Sequence, residues 1–194
     1  YIEGAVPVEG YDFNQGVDYD KIFEAFKTTG IQATSLGKSV DIINKMIHWR
    51  LSDEEIAEDE EEEYKDPEVR KNTKCTIFLG YTSNMISCGM REIIRYLCQH
   101  KMVDCIVTTT GGIEEDFIKC FNDFHIGQFD LDGAKLRESG INRIGNMLAP
   151  NKCYTDFESF FIPLIKEMHK EQKEEGTVFT PSMIINRMGK AINN

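Results

Sequence analysis

Residues 75–116 read CTIFLGYTSNMISCGMREIIRYLCQHKMVDCIVTTTGGIEED, and their order is strand, loop, helix, strand, loop, helix. Cys75–Leu79 is a short apolar run with β-branched members and Gly80 behind it, the pattern of a strand buried on both faces. Gly80-Tyr81-Thr82-Ser83-Asn84 supplies turn and N-cap chemistry. From Ile86 the apolar residues Ile86, Met90, Ile93, Ile94 and Leu97 follow helical spacing with one buried stripe. Val103–Val107 predicts a second buried strand, ending in Thr108-Thr109-Thr110-Gly111-Gly112. Ile113 then opens a helix to about Cys120, with Glu114, Glu115 and Asp116 in its first turn.

Two strands joined by a helix of this length predict a right-handed crossover and a parallel sheet. Such sheets bind ligands beyond the carboxyl ends of their strands. Both polar loops, Thr82-Ser83-Asn84 and Thr109-Thr110-Gly111-Gly112, fall there. Hydroxyls, an amide and glycines let backbone N–H groups approach an anion or a ribose beside a helix N-terminus. The same residues also make ordinary turns and caps. The G-x-G-x-x-G fingerprint is absent, so spacing names no ligand.

The flanks of this unit bound the answer. A chain of 194 residues with 41% hydrophobic content can bury a core as one domain. No apolar run approaches the roughly 18 residues of a membrane helix, and Tyr1-Ile2-Glu3-Gly4 has neither the basic start nor the apolar core of a signal peptide. That start also lacks an initiator Met, so a preceding segment is expected. Net charge is −11, of which −10 lies between Asp53 and Glu68, eleven acids against Lys65. The remainder is almost neutral and offers no basic face for nucleic acid. The acidic run reads as a solvated, mobile loop or a frayed helix end; attraction of a basic protein partner is the other reading. The six cysteines form no C-x-x-C pair and the four histidines are scattered, so no metal site is expected. Free thiols suit a reducing compartment.

Along the rest of the chain, residues 1–18 read as an extended arm with aromatic anchors. Asp18 caps a predicted helix of about Tyr19–Lys27 with Ile22, Phe23 and Phe26 inward. A second runs from about Gln32 past Trp49, with Leu36, Val40, Ile43 and Ile47 on one stripe. Phe121–Leu131 reads as a loop and a short strand, and 135–146 as a polar, glycine-punctuated loop. Asp156 caps a predicted helix of about Phe157–Gln172, with Pro163 in its early turns and Phe160, Phe161, Leu164, Ile165 and Met168 on its core face. Thr180-Pro181-Ser182 opens a last helix to about Ile192. The chain stops where a doubly wound sheet would need its next strand.

Six blocks, YDFNQG, TTGIQATSLGKSV, CTIFLGYTSNMISCGMRE, VTTTGGIEED, GINRIGN and TPSMIINRMGK, follow one another in this order. In that combination the sequence resembles the deoxyhypusine synthase family, collinearly over almost the whole chain apart from the acidic run. The resemblance implies an α/β fold, a Rossmann-like parallel sheet flanked by helices and incomplete in this chain. Residues 1–74 would form the arm, two helices and acidic loop (about 52–70), and 75–194 the first part of the NAD-binding domain, one structural domain overall. It further implies a cytoplasmic transferase that moves the aminobutyl group of spermidine to a lysine of the translation initiation factor 5A precursor. NAD takes up and returns a hydride, and the active sites lie across interfaces of a homo- or heterotetramer. On the family pattern Ser83, Asn84, Ser87, Thr109, Thr110, Gly111 and Glu115 would contact NAD, with Glu115 also at the spermidine end. A carboxylate suits a polycation that must be desolvated, although helix-dipole placement would equally explain Glu115 and would be shared by Glu114 and Asp116.

Two departures stand out. Thr110 occupies the alanine position of the family's usual TTAGG. The family's second half, which carries the nucleophilic lysine and much of the spermidine pocket, lies beyond Asn194. No catalytic nucleophile is therefore assigned, and the chain is not expected to be active alone. A paralogous subunit that activates a heterotetramer is the alternative, suggested by Thr110 and the acidic run. An NAD-dependent deacylase, of a distantly related fold, would need zinc-binding C-x-x-C pairs that are missing.

Overall fold

Asp18 accepts a hydrogen bond from the Lys21 amide at 3.2 Å and caps helix α1 (Tyr19–Thr29), as its sequence position predicts. Gly30, at φ +95°, turns the chain directly into α2 (Ile31–His48). These belong to a computed structural model that describes residues 3–192 and falls into two compact units, 1–77 and 78–194.

In the first unit α1 packs on the Gly37 side of α2. A Cβ at Gly37 would meet the Lys27 backbone nitrogen at 2.7 Å, so only glycine permits this approach. The predicted stripe Leu36, Val40, Ile43 and Ile47 is left exposed, because α1 covers a different side. Phe23, expected inward, is exposed too, and α2 ends at His48 rather than beyond Trp49.

The acidic run is not the loose loop expected. It is wound around Arg70, which is only 4% exposed and sits in helix α3 (Pro67–Asn72), capped by Asp66. The Arg70 guanidinium donates to the carbonyls of Leu51 (2.8 Å), Glu54 (2.8 Å) and Tyr64 (2.9 Å) and to the Glu60 carboxylate (3.3 Å). Most of the other acids of the run are exposed. A planar fork with five donors can gather carbonyls from three successive turns, which explains why this residue is buried while its acidic neighbours are not.

The second unit opens with β1 (Phe78–Tyr81), three residues later than the apolar run suggests. A short helix α4 (Asn84–Ser87) is separated from α5 (Met90–Gln99) by Cys88-Gly89, so the single helix expected from Ile86 is broken in two. Cys88 is extended (ψ −179°), which ends α4. Ile86 and Ile94 are buried, whereas Ile93 is exposed. Strand β2 (Cys105–Thr108) pairs parallel with β1, register Phe78↔Cys105 to Tyr81↔Thr108. Neither strand is buried on both faces: Phe78 is 65% and Val107 60% exposed.

Helix α6 (Gly111–Phe121) follows, two residues ahead of its expected start. Strand β3 (His125–Ile126) and α7 (Gly133–Glu138) precede a hairpin of β4 (Ile141–Ile144) and β5 (Met147–Pro150). These three strands form an antiparallel sheet in the order β3-β5-β4. Residues 135–146, expected to be a loop, are thus the end of a helix and a strand. The two-residue turn Gly145-Asn146 has Gly145 at φ +61°, which glycine tolerates and which suits a tight hairpin. Helix α8 (Asn151–Glu174) starts after Pro150, five residues before the cap expected at Asp156, and continues through Pro163, which lies on its exposed side. Its Cys153, Phe157 and Met168 are buried. The core joins Phe117 and Ile118 of α6 to Cys153 and Phe157 of α8 and to Met188 of α9 (Pro181–Ile192).

Candidate functional site

The parallel register puts Tyr81 beside Thr108, so the two strands release their following loops side by side. The Thr108 hydroxyl donates to the Tyr81 carbonyl at 2.9 Å and ties the two strand ends together. Beyond them Ser83 is the residue before α4 and Thr110 the residue before α6, and neither helix is capped by a side chain. The two turns touch. A Cβ at Gly111 would lie 2.9 Å from the Ser83 Cβ, and one at Gly112 would lie 2.2 Å from Thr108 Oγ1. Gly111 is therefore required by the approach of one turn to the other, and Gly112 by the approach of α6 to Thr108 and Tyr81 at the strand ends.

This geometry gathers all seven predicted residues at one end of the β1–β2 pair. Asn84, Thr109 and Thr110 are exposed on its crest, Ser83, Gly111 and Glu115 are half-buried, and Ser87 is buried. The Ser87 hydroxyl donates to the Glu115 carboxylate in a short contact that joins α4 to α6. Burial raises the Glu115 carboxyl above its ordinary range, the negative charge of Glu114 adds to this, and Lys119 pulls the other way. Tyr154 is raised by burial and by the charges of Glu115 and Glu114.

The three acids that open α6 are not equivalent, contrary to a pure helix-dipole account. Asp116 is held by Arg91 of α5, whose Nε is 2.5 Å from Asp116 Oδ1 and whose Nη2 is 2.9 Å from the Asp116 carbonyl. Glu115 engages Ser87. Glu114 lies close enough to act on Glu115 by its charge. Lys119, to which the sequence reading gave no role, donates to the carbonyls of Ile86 (3.2 Å) and Ser87 (3.0 Å). The i,i+4 spacing of Glu115 and Lys119 was the available signal.

A dinucleotide asks for hydroxyl and amide donors to its riboses, free backbone N–H groups for its phosphates, and glycines where the chain must come close. Ser83, Asn84, Thr109 and Thr110 offer the hydroxyl and amide groups and Gly111 the close approach, while the Gly112 and Ile113 amides donate to the carbonyls of Thr109 and Thr110. Among the described residues no group of three or more His, Cys, Asp or Glu side chains is placed to hold a metal ion, and no helix is long and apolar enough to cross a membrane.

The sequence pattern of the deoxyhypusine synthase family (DS) matches residues 21–194. The chain belongs to the deoxyhypusine synthase family. It is 57% identical over 187 residues to a probable deoxyhypusine synthase of Dictyostelium discoideum, covering 96% of this chain and 49% of the relative. The deoxyhypusine synthase of Arabidopsis thaliana is also 57% identical, over 188 residues, with 96% and 51% covered. A homospermidine synthase of Senecio vulgaris is 52% identical over 187 residues, with 96% and 50% covered. The crystal structure of a protein of Entamoeba histolytica assigned as a deoxyhypusine synthase superposes with a TM-score of 0.61 at 31% identity, covering 96% of this chain and 55% of that one. The chain thus spans about half the length of the curated relatives it matches. The family carries a transferase activity and accords with the mixed α/β fold seen here.

Proposed function

We propose that the crest beyond β1 and β2 is the NAD-holding half of a deoxyhypusine synthase, an enzyme that transfers the aminobutyl group of spermidine to one lysine of the translation initiation factor 5A precursor. The observation that carries this reading is the meeting of the Ser83 turn with the glycine-bearing start of α6 beside the Ser87–Glu115 contact, in a chain of that family. Bound NAD would supply the hydride acceptor and donor. Ser83, Asn84, Thr109 and Thr110 bind and orient it through hydroxyl and amide groups, Gly111 gives its phosphates room at the start of α6, and Ser87 fixes the Glu115 carboxylate. Glu115, with Glu114 beside it, offers desolvated negative charge to a polyamine cation. The residues that complete the reaction, the nucleophilic lysine among them, belong to the family's second half, and the working assembly is a homo- or heterotetramer in the cytoplasm.

The test is titration of NAD and of spermidine into the native chain and into Glu115→Gln and Asn84→Ala. Weaker NAD binding in both, and weaker spermidine binding in Glu115→Gln, is expected; unchanged affinities would remove the assignment. With the family's second half supplied as a separate polypeptide, turnover is measured with the precursor protein and with a free diamine as acceptor, because relatives at 52% identity carry the homospermidine synthase name. If the chain raises the turnover of a related subunit while forming no productive site of its own, the activating-subunit reading replaces this one.

A further inference from the structure

Helix α6 grips the end of α4 from two sides. One turn apart on α6, Glu115 accepts the Ser87 hydroxyl while Lys119 donates to the Ser87 and Ile86 carbonyls. Those carbonyls are among the last of α4, whose final groups have no partner within the helix. Four residues make too short a helix to hold its shape unaided, and the extended Cys88 ends it. Lys119 is half-buried and lies over the Phe124 ring at 6.0 Å. It borders a cavity of about 250 Å³ shared with Ser87, Cys88, Gly89 and His125. The cavity lies between this stretch and the β3–β5 strands.

We propose that Lys119 is a positioning residue: its ammonium group closes the end of α4 and so holds the Ser87 hydroxyl on the Glu115 carboxylate. The proposal rests on the reading of the crest as a dinucleotide site. Its geometry is a chain of three links, Lys119 to the Ser87 carbonyl, the Ser87 hydroxyl to Glu115, and Glu115 at the edge of the crest. Without Lys119 the α4 end loses two donors, Ser87 gains freedom, and the carboxylate loses both a hydrogen bond and a nearby positive charge. The charged and titratable groups that act on Glu115 are Glu114 and Lys119 on its own helix and Tyr154 on α8.

The experiment compares Lys119→Met, Lys119→Gln and Lys119→Arg in the 194-residue chain by two readouts. The first is the titration of the Glu115 side-chain carboxyl by carbon NMR, assigned by difference from Glu115→Gln. The second is NAD affinity by calorimetry. In Lys119→Met the Glu115 midpoint is expected to move upward and NAD affinity to fall about tenfold, the scale of losing one or two ordering hydrogen bonds. Lys119→Gln, which keeps a donor without the charge, moves both readouts the same way by less, and it stands in if Lys119→Met does not fold. Lys119→Arg restores affinity to within about twofold, since it keeps charge and donors. A merely structural lysine would lower thermal stability and leave the Glu115 midpoint in place, and that result overturns the proposal. So does equal impairment of the arginine and methionine variants. If the native chain binds no NAD, the dinucleotide reading fails, and the Glu115 midpoint alone decides the role of Lys119.

Discussion

Replacing Gly112 by alanine tests how closely the start of α6 packs on the ends of β2 and β1. The added methyl would sit 2.2 Å from Thr108 Oγ1, 3.0 Å from the Tyr81 ring and 3.1 Å from Thr108 Cγ2. Thr108 can escape by rotating χ1, but that withdraws its hydroxyl from the Tyr81 carbonyl. Overpacking of this kind costs up to about 3 kcal/mol. Alanine returns about 1 kcal/mol through helix propensity, so Gly112→Ala should destabilise by about 2 kcal/mol. Thr108→Ala alone loses the hydrogen bond, about 1 kcal/mol. In the double variant the contacts with Thr108 are gone and only the 3.0 Å approach to the Tyr81 ring remains, so stability should return to within about 1 kcal/mol of the native chain. Urea denaturation of the four chains measures the cycle. NAD affinity should fall in Gly112→Ala and recover in the double variant, because the start of α6 moves away from Ser83 and then returns. Native stability in the single variant, or additive losses in the double, would refute the geometry.

Other consequences can be measured alongside. Arg70→Met leaves three carbonyls and Glu60 without their buried donor and should cost about 3–5 kcal/mol, seen as fast hydrogen exchange confined to the backbone of residues 51–72. Because the Glu115 proton affinity is raised by folding, its share of stability is whole below the ordinary glutamate value of 4.5 and is lost as pH rises through the higher folded value. Glu115→Gln should therefore gain on the native chain as pH rises through that range, and parallel pH curves would contradict the assignment. Pro163→Ala restores a helix amide on the exposed side of α8 and should stabilise by about 2 kcal/mol in thermal unfolding. Gly145→Val forces a β-branched residue to φ +61° and should cost at least about 1 kcal/mol, with broadened NMR signals across β4 and β5.

The β1–α–β2 unit was legible because each piece carries its own local signal. The apolar runs end in polar turns, and the glycine pair precedes an acidic helix start. The division of labour among Glu114, Glu115 and Asp116 was not legible, because it depends on which partner each meets across space, Ser87 and Arg91. Arg70 was hidden for a similar reason. Its partners are mostly carbonyls, which every residue has, and the charge run around it reads as solvated. The 141–150 hairpin escaped because Asn142 and Arg143 stand together and interrupt the alternation of a half-buried strand, although Gly145-Asn146 was a turn signal. The stripe of α2 followed helical spacing faithfully and is exposed nonetheless. Periodicity shows that a face is apolar and says nothing of what covers it.

The β1–β2 pair has a consequence for handling the molecule. Two strands make a ribbon whose outer amides and carbonyls can accept further strands, and among the described residues no third strand pairs with it. A net charge far from zero disfavours association of such ribbons, and ten of the eleven net negative charges of the chain sit in the short stretch gathered by Arg70. Trimming that stretch should lower the concentration at which the chain begins to precipitate.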